Sequence, residues 1–369
     1  MHFVLSMFRD VPDPLTGNAT RHSLLDVLTI ALVASICGCE SCVEFADFAE
    51  DREELFREFL ELSHGLPSYD TFSRLFRLVD PDALSRCFGR FLDHVGADGS
   101  DVLAVDGKTL RRSFDRAAGA SPLHVVTAFA ADARLVLGHR AMASGENEIV
   151  AARALLGCLY LGGMLVTADA IHCQRDTAAT VLERGGDYLF SLKANRPAML
   201  ADVEAFFATA DGLAWHDTVE ADHGRVEHRR HATTQDTAWL FSDRRYAGEP
   251  AMPGLATLAI VDSTVERDGQ TSRSRRYYVS SARLTPERFA AAVRGHWSIE
   301  ISQHWVLDMA FDEDRARNRK DNGPENLAVL RRLALNVLRT VRPTISIKRK
   351  RKRAGWSDAF ARSILAQMR

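Results

Sequence analysis

Apolar positions recur along this chain at two different periods, and the change of period divides it. Up to about residue 90 the spacing is helical. Ser23 stands ready to cap a helix over LLDVLTIALVASI. A second helix is predicted from near Cys42, in VEFADFAEDREELFREFLEL, where Phe45, Phe48, Leu55, Phe59 and Leu62 keep roughly helical spacing. Gly65-Leu66-Pro67-Ser68 breaks it, and Ser68 or Asp70 caps a third helix, TFSRLFRLV. Past residue 101 short apolar runs take over. VLAVDG, LHVVTAFAA and RLVLGHRAM read as three strands, residues 147–159 as a helix and GMLVTADA as a buried strand. Residues 176–183 read as a helix and DYLFSLK as a fifth strand. Residues 215–282 are polar, with short alternating runs (TAWLFSD, LATLAIVDS, RRYYVSSA) that predict β structure. Helical spacing returns at Pro286 and holds to about Arg339.

Three strands, a helix, a strand, a helix and a strand form an α/β core of the ribonuclease-H type. Three parts follow: a small helical domain over 1–95, the α/β domain over 96–342 with a β-rich insertion at about 210–285, and a basic tail over 343–369.

Composition adds bounds. The chain has 369 residues, 46% hydrophobic and 26% charged, an ordinary soluble globular balance. Net charge is −2, so no global field advertises nucleic acid. Charge is local instead: IKRKRKR, Ile347–Arg353, is a basic block, and Arg273, Arg275 and Arg276 form another. Cys37, Cys39 and Cys42 lack a partner group at zinc-finger spacing and read as small core residues of a reduced, cytoplasmic chain. The apolar run 24–39 is interrupted by Asp26 and is too short to span a bilayer, so no membrane role is expected.

The candidate chemistry sits at strand ends. Asp106 ends the first strand and Asp169 the fourth, and in a sheet of this order those strands can be neighbours. Two carboxylates brought that close repel unless a cation lies between them. Mg²⁺ suits oxygen ligands and keeps waters that a phosphate can displace. Lys108, Arg111 and Arg112 would then hold a phosphate backbone beside the ion. A third ligand is expected from RGHWSIEISQHWVLDMAFDED, which is apolar around most of its circumference and so reads as a largely buried helix. At about 100° per residue, Glu300, His304 and Asp308 share one stripe. The alternative for such a buried carboxylate is a partner such as Arg315.

Several blocks together carry a resemblance: AVDGKTLR, GENEI, VTADAIHCQ, GGDYLFSLKANRP, HWSIEISQHWVLDMAFDED and NLAVLRRLALNVLR, preceded by GLPSYDTFSRLFRLVDP. In this order they resemble the DDE transposases of bacterial insertion sequences, in the branch of the H-repeat-associated proteins. The resemblance implies a ribonuclease-H-like core with a β insertion before the last acidic residue. It also implies metal-dependent DNA cleavage and strand transfer, and by position Asp106, Asp169 and Glu300 match the family's catalytic triad. Of a tyrosine, arginine, glutamate and lysine pattern common in the wider superfamily only the glutamate, Glu300, is kept; Val293, His296 and Leu307 stand at the other places.

The reading that follows is a transposase acting on double-stranded DNA, at element ends and target, with two Mg²⁺ ions (Mn²⁺ substituting) on three carboxylates. Asp308 is a possible further ligand or a partner of His304 or Arg315. Phosphate contacts are expected from Lys193 and Arg196 after the fifth strand, and from Lys348, Arg349, Lys350 and Arg351 in the tail. His304 is placed on the DNA side of the site. Trp297 and Trp305 read either as core aromatics or as platforms for a displaced base. His172, near Asp169, could orient a metal-bound water. The resemblance suggests a homodimer on DNA ends. Two alternatives stay open: a DNA-binding protein whose catalysis has decayed, and a nuclease that cuts without joining.

Overall fold

A computed structural model describes residues 2–15, 21–95, 102–222, 225–241 and 252–367. Among them seven helices come first: α1 His2–Phe8, α2 Leu24–Ile36, α3 Cys42–Asp51, α4 Glu53–Arg57, α5 Tyr69–Leu78, α6 Pro81–Ser85 and α7 Cys87–Val95. The long second helix expected from the sequence is thus two, α3 and α4, parted at Arg52. Strands β1 Val102–Thr109, β2 His124–Ala130 and β3 Leu135–Ala141 follow, then α8 Glu148–Cys158, β4 Leu165–Ala168, α9 Arg175–Glu183, β5 Asp187–Leu192 and α10 Pro197–Thr209. The predicted order of strands and helices is present. The insertion supplies β6 Trp215–Asp222, β7 Arg225–Thr234, β8 Thr257–Arg267 and β9 Gln270–Ser280. TAWLFSD does not form a strand: Ala238–Phe241 is a 3-10 turn, where Trp239 stacks on Phe206 at 5.1 Å between ring centroids. Ser242 and Asp243 lie outside the described residues.

All nine described strands join one sheet in the order β3-β2-β1-β4-β5-β9-β8-β7-β6. Only β1–β4 and β4–β5 pair in parallel; the other neighbours are antiparallel. The insertion is therefore a continuation of the sheet along β5. One face carries α8, α9 and α10 over a core that includes Leu155, Val181 and Val203. The other face carries α11 Pro286–Ser298, whose Phe289, Ala292 and Val293 pack on Leu165, Leu189 and Tyr278.

Three further helices, α12 Trp305–Phe311, α13 Gly323–Thr340 and α14 Ile347–Trp356, precede α15 Asp358–Ala366. α13 is buried along nearly its whole length, including Asn326, Arg332 and Asn336. Asn336 donates to the Val136 carbonyl and accepts from its N–H, both at 2.9 Å. That pairs the sheet's β3 edge, which would otherwise offer free backbone groups. Asn326 donates to the carbonyls of Phe76 and Val79 at the end of α5.

The N-terminal helices therefore share their apolar core with later elements. One apolar cluster unites residues of α1–α7, the β1–β3 edge and α12–α15. The expected basic tail is likewise two packed helices, and this corrects the reading of Lys350 and Arg351 as phosphate contacts. Both are 3% exposed. Lys350 Nζ donates to the carbonyls of Leu338 and Val341 at the end of α13. Arg351 donates to carbonyls of Ser35, Cys39 and Ala310 and to the Glu40 carboxylate. Helix ends leave carbonyls without intrahelical donors, and cations satisfy them. Lys348 and Arg349 remain exposed. Among the described residues no helix is long and apolar enough to cross a membrane.

Candidate active site

β1 and β4 run in parallel with Val105 opposite Ala168. Asp106 and Asp169 therefore follow at matching heights on neighbouring strands. Asp106 does not end its strand, which continues to Thr109 through the pairing with β2. Asp169 is the first residue past β4.

Glu300 comes from the segment after α11. There the helix widens into a π-turn over Ile299–His304, and the Trp305 N–H donates to the Glu300 carbonyl five residues back. Such turns concentrate at functional sites. This one carries Glu300 and His304 to Asp106. Each of the three offers a donor atom, and these atoms lie within 4.8 Å of one another. Among the described residues no other group of three His, Cys, Asp or Glu side chains meets that spacing. His304 Nδ1 is 3.5 Å from Asp106 Oδ2 and 3.5 Å from Glu300 Oε2. Asp169 stands outside the group, exposed, with Oδ1 3.9 Å from His296 Nε2.

The electrostatics are those of crowded anions. Burial, and then the Glu300 charge, push the Asp106 carboxyl up to about 6 against the opposing pull of His304. His304 holds Glu300 below its ordinary range while burial opposes.

The predicted stripe on this helix is split. Asp308 pairs with Lys108 rather than with His304 or Arg315, and Asp314 lies 3.8 Å from the same ammonium. This corrects Lys108: its side chain is 9% exposed and committed to α12, so it is a strut between β1 and that helix, not a free phosphate contact. The buried carboxylate with an arginine partner is Glu313, bonded to Arg332, both fully buried. Arg111 and Arg112 are exposed, although Arg111 Nε approaches Asp314 at 3.3 Å. Nor is the helix apolar all round against a core. Trp297, Ile301, Trp305 and Met309 are 47%, 65%, 59% and 49% exposed, a stripe at four-residue spacing that opens to solvent. The core reading of the two tryptophans is therefore wrong.

Beside Asp169 a cavity of about 310 Å³ lies between the sheet and α11. Lys193, Arg276, Tyr278, His296 and Trp297 line it. Lys193 is exposed at its mouth, and Arg196 caps α10 nearby. Neither Arg276 nor Tyr278 was predicted as a site residue; the alternation of RRYYVSSA, which sends both to one face of β9, was the available signal.

A second cluster, also missed, lies across β1. Glu148 opens α8, and its two oxygens meet His124 Nε2 at 2.8 Å and His172 Nε2 at 3.0 Å. These two hydrogen bonds hold its carboxyl down to about 2. His124 Nδ1 is in turn 2.9 Å from the Thr109 hydroxyl. The clamp passes directly over Gly107: a Cβ there would lie 2.3 Å from His124 Nε2 and 2.6 Å from Glu148 Cδ. Glycine after Asp106 is what admits it. His172 is 1% exposed and bound to Glu148, not turned toward solvent at the carboxylates. GENEI stands out in the sequence only as part of the resemblance; nothing local pairs its glutamate with two histidines 24 residues away on either side.

Carboxylates within and just past two neighbouring parallel strands, with a helix-borne glutamate turned onto one of them, define a chain of the class built around an acidic site on a sheet. Comparison with known proteins gives the family. The pattern described as "Transposase DDE domain" matches residues 97–337, and that described as "DDE_Tnp_1-associated" matches residues 5–92. The chain belongs to the DDE-domain transposase family. It is 31% identical over 362 residues to the "H repeat-associated putative transposase YhhI" of Escherichia coli (strain K12), covering 96% of each chain. It is 33% identical to the "Putative transposase YncI" of Escherichia coli O157:H7, covering 96% of this chain and 92% of that one. It is 39% identical to the "Uncharacterized protein in dhlA 3'region" of Xanthobacter autotrophicus over 76% of this chain and 94% of that one.

Proposed function

We propose that this chain is an active transposase with a ribonuclease-H-like core, which binds the ends of its insertion sequence, cleaves there and joins the released end to target DNA. The observation that carries the reading is the pairing of β1 with β4 in the register Val105–Ala168, with Glu300 and His304 converging on Asp106. Asp106, Asp169 and Glu300 are the catalytic carboxylates. Their donor set fits a divalent ion: hard oxygens, crowded anions and an Asp106 carboxyl raised by burial and by the Glu300 charge. Mg²⁺, or Mn²⁺ in its place, supplies charge neutralisation and an activated oxygen nucleophile when two ions are bound.

The protein's own share is positioning, which is most of what phosphoryl transfer requires. Glu300 and Asp106 approach from opposite elements, helix and strand, so the phosphate is fixed between two rigid supports. Lys193, with Arg276 across the cavity, holds the phosphates next to Asp169. Arg196, Arg111, Arg112, Lys348 and Arg349 extend the backbone contacts outward. Trp297 and Trp305, exposed beside the carboxylates, present faces on which unstacked bases can lie. Double-stranded DNA is the substrate, and a pair of copies bridges two ends.

The test is cleavage and strand transfer on DNA carrying the element's flanking ends, with Mn²⁺ or Mg²⁺. Asp106→Asn and Asp169→Asn lose cleavage by at least about a thousandfold yet bind DNA as well as wild type, because a carboxylate removed from the site costs no phosphate contact. Full cleavage by either variant in Mg²⁺ refutes the assignment. Cutting without joining by the unaltered chain identifies a nuclease instead.

A further inference from the structure

His304 has an environment that the carboxylate triad does not account for. It is 5% exposed, on the inner side of the π-turn. Its Nδ1 faces Asp106 and Glu300 at the same separation, 3.5 Å. Its Nε2 is buried and has no partner. An imidazolium hydrogen-bonded to a carboxylate closes to about 2.8 Å on one oxygen. Equal and longer separations from two oxygens are a different pattern. They are the spacing of donor atoms around a shared ion: at a bond length of about 2.1 Å, adjacent ligands lie about 3.0 Å apart in an octahedron and about 3.4 Å apart in a tetrahedron. The two separations from Nδ1 lie near that edge length, and all three donors fall within 4.8 Å of one another.

We infer that His304 is a nitrogen ligand to the divalent ion held by Asp106 and Glu300. The inference rests on the metal site proposed above and changes its chemistry. One ion then has a mixed nitrogen and oxygen shell, while Asp169, outside the group, serves the second ion with Asp106. Residues 300 and 304, four apart, face the same strand across the π-turn, whose widened ring closes from Trp305 N–H to the Glu300 carbonyl. The competing cation is already engaged, since Lys108 is bound to Asp308. Burying an imidazole with one nitrogen unpaired is unfavourable, and coordination at the other nitrogen offsets that.

Metal preference follows. Mg²⁺ favours oxygen donors, whereas imidazole suits transition ions and later ions of the first row more strongly. The site therefore discriminates for Mn²⁺ over Mg²⁺ beyond what three carboxylates would.

The experiment uses the full chain stripped of metal, titrated with Mn²⁺ and measured by pulsed electron paramagnetic resonance for coupling to an imidazole ¹⁴N. Wild type shows the coupling. His304→Gln loses it and binds Mn²⁺ more weakly by at least about 100-fold, beyond the usual loss from a residue that only orients a ligand. His304→Glu, which keeps a donor of similar reach, recovers ion binding without ¹⁴N coupling and narrows the preference for Mn²⁺ over Mg²⁺. That recovery separates ligation from a folding defect. Bound Mn²⁺ without ¹⁴N coupling in wild type overturns the inference, as does coupling that survives in His304→Gln, or no Mn²⁺ binding at all. The outcomes also separate the two readings. A chain that cuts DNA with ¹⁴N-free Mn²⁺ keeps the transposase and loses the ligand. A chain with coupled Mn²⁺ that cuts no element-end DNA keeps the ligand and loses the transposase.

Discussion

Arg351→Ala should unfold this protein more readily than any other change in the basic segment, and the contacts of the side chain set the size of the effect. The guanidinium donates to carbonyls of Ser35 at 3.0 Å, Cys39 at 3.1 Å and Ala310, and to Glu40 Oε1 at 3.2 Å. It also lies 4.0 Å from the centre of the Phe311 ring. Truncation removes the Arg351 donor from three carbonyls, of which Ser35 still accepts from the Gly38 N–H at 3.4 Å, and from a half-buried carboxylate. Each orphaned buried acceptor costs roughly 1–3 kcal/mol, but Cys39 and Ala310 are only partly buried and regain some water. The Glu40 side chain is 35% exposed, so that ion pair adds little, and the loss of donors to the carbonyls sets a working figure of about 4 kcal/mol. Unfolding entropy of about 2.1 cal/mol/K per residue, over 369 residues, gives about 0.8 kcal/mol/K and so a fall in Tm of about 5 °C. Calorimetry reads it, with Arg349→Ala alongside. Arg349 is exposed, so its loss should leave Tm within about 1 °C. It should instead lower the slope of DNA binding against salt by about 0.9 for a lost phosphate contact. A Tm for Arg351→Ala within about 1 °C of wild type, or equal destabilisation by both changes, refutes the anchor role.

Two further predictions concern the clamp beneath Asp106. Glu148→Gln should destabilise the protein by about 2 kcal/mol at neutral pH, the shift from 4.5 to about 2 being worth at most roughly 3 kcal/mol before solvent screening. Because the folded carboxyl is depressed, its stabilisation is complete above pH 4.5 and is lost as pH falls toward 2. Denaturant melts of both proteins across that range check it, and a difference that stays flat rules out the two histidine hydrogen bonds as the cause. Gly107→Ala should cost about 1–3 kcal/mol by prising His124 from Glu148, and its penalty should largely vanish when introduced into Glu148→Ala, which removes the clashing carboxylate and frees His124 to move. Additive penalties would mean that Gly107 serves something other than the clamp.

The interior strands were legible because each is a short apolar run closed by a turn or a charge, and their order followed from the helices between them. What escaped was non-local. IKRKRKR carries every local sign of a solvated tail, and its burial comes from carbonyls at the ends of α2, α12 and α13, as far as 316 residues away. TAWLFSD alternates like a strand, yet Trp239 finds a better surface on Phe206 and its indole N–H donates to Asp236. Nor does the sequence show that α13, far along the chain, joins the apolar cluster of the N-terminal helices.

The site itself was half legible, and the missing half is a matter of one widened turn. A uniform 100° step puts Glu300, His304 and Asp308 on one stripe, and choosing among them by period is impossible. The π-turn divides them. Glu300 and His304 face Asp106, and Asp308 passes to Lys108. That division settles the charge balance. Lys108 is close enough to lower the Glu300 carboxyl, but its ammonium is bonded to Asp308 and approaches Asp314, so it cannot also neutralise Asp106. Had Lys108 paired with Asp106 directly, two residues along the same strand, the carboxylates would have held an internal counter-ion and a metal would have had to displace it. With Lys108 drawn off, Asp106 and Glu300 are left with an imidazole at 3.5 Å and an Asp106 carboxyl that burial raises to about 6, the environment into which the proposed divalent cation would fit. Asp308, which looked like a candidate ligand, serves the site by keeping a lysine out of it.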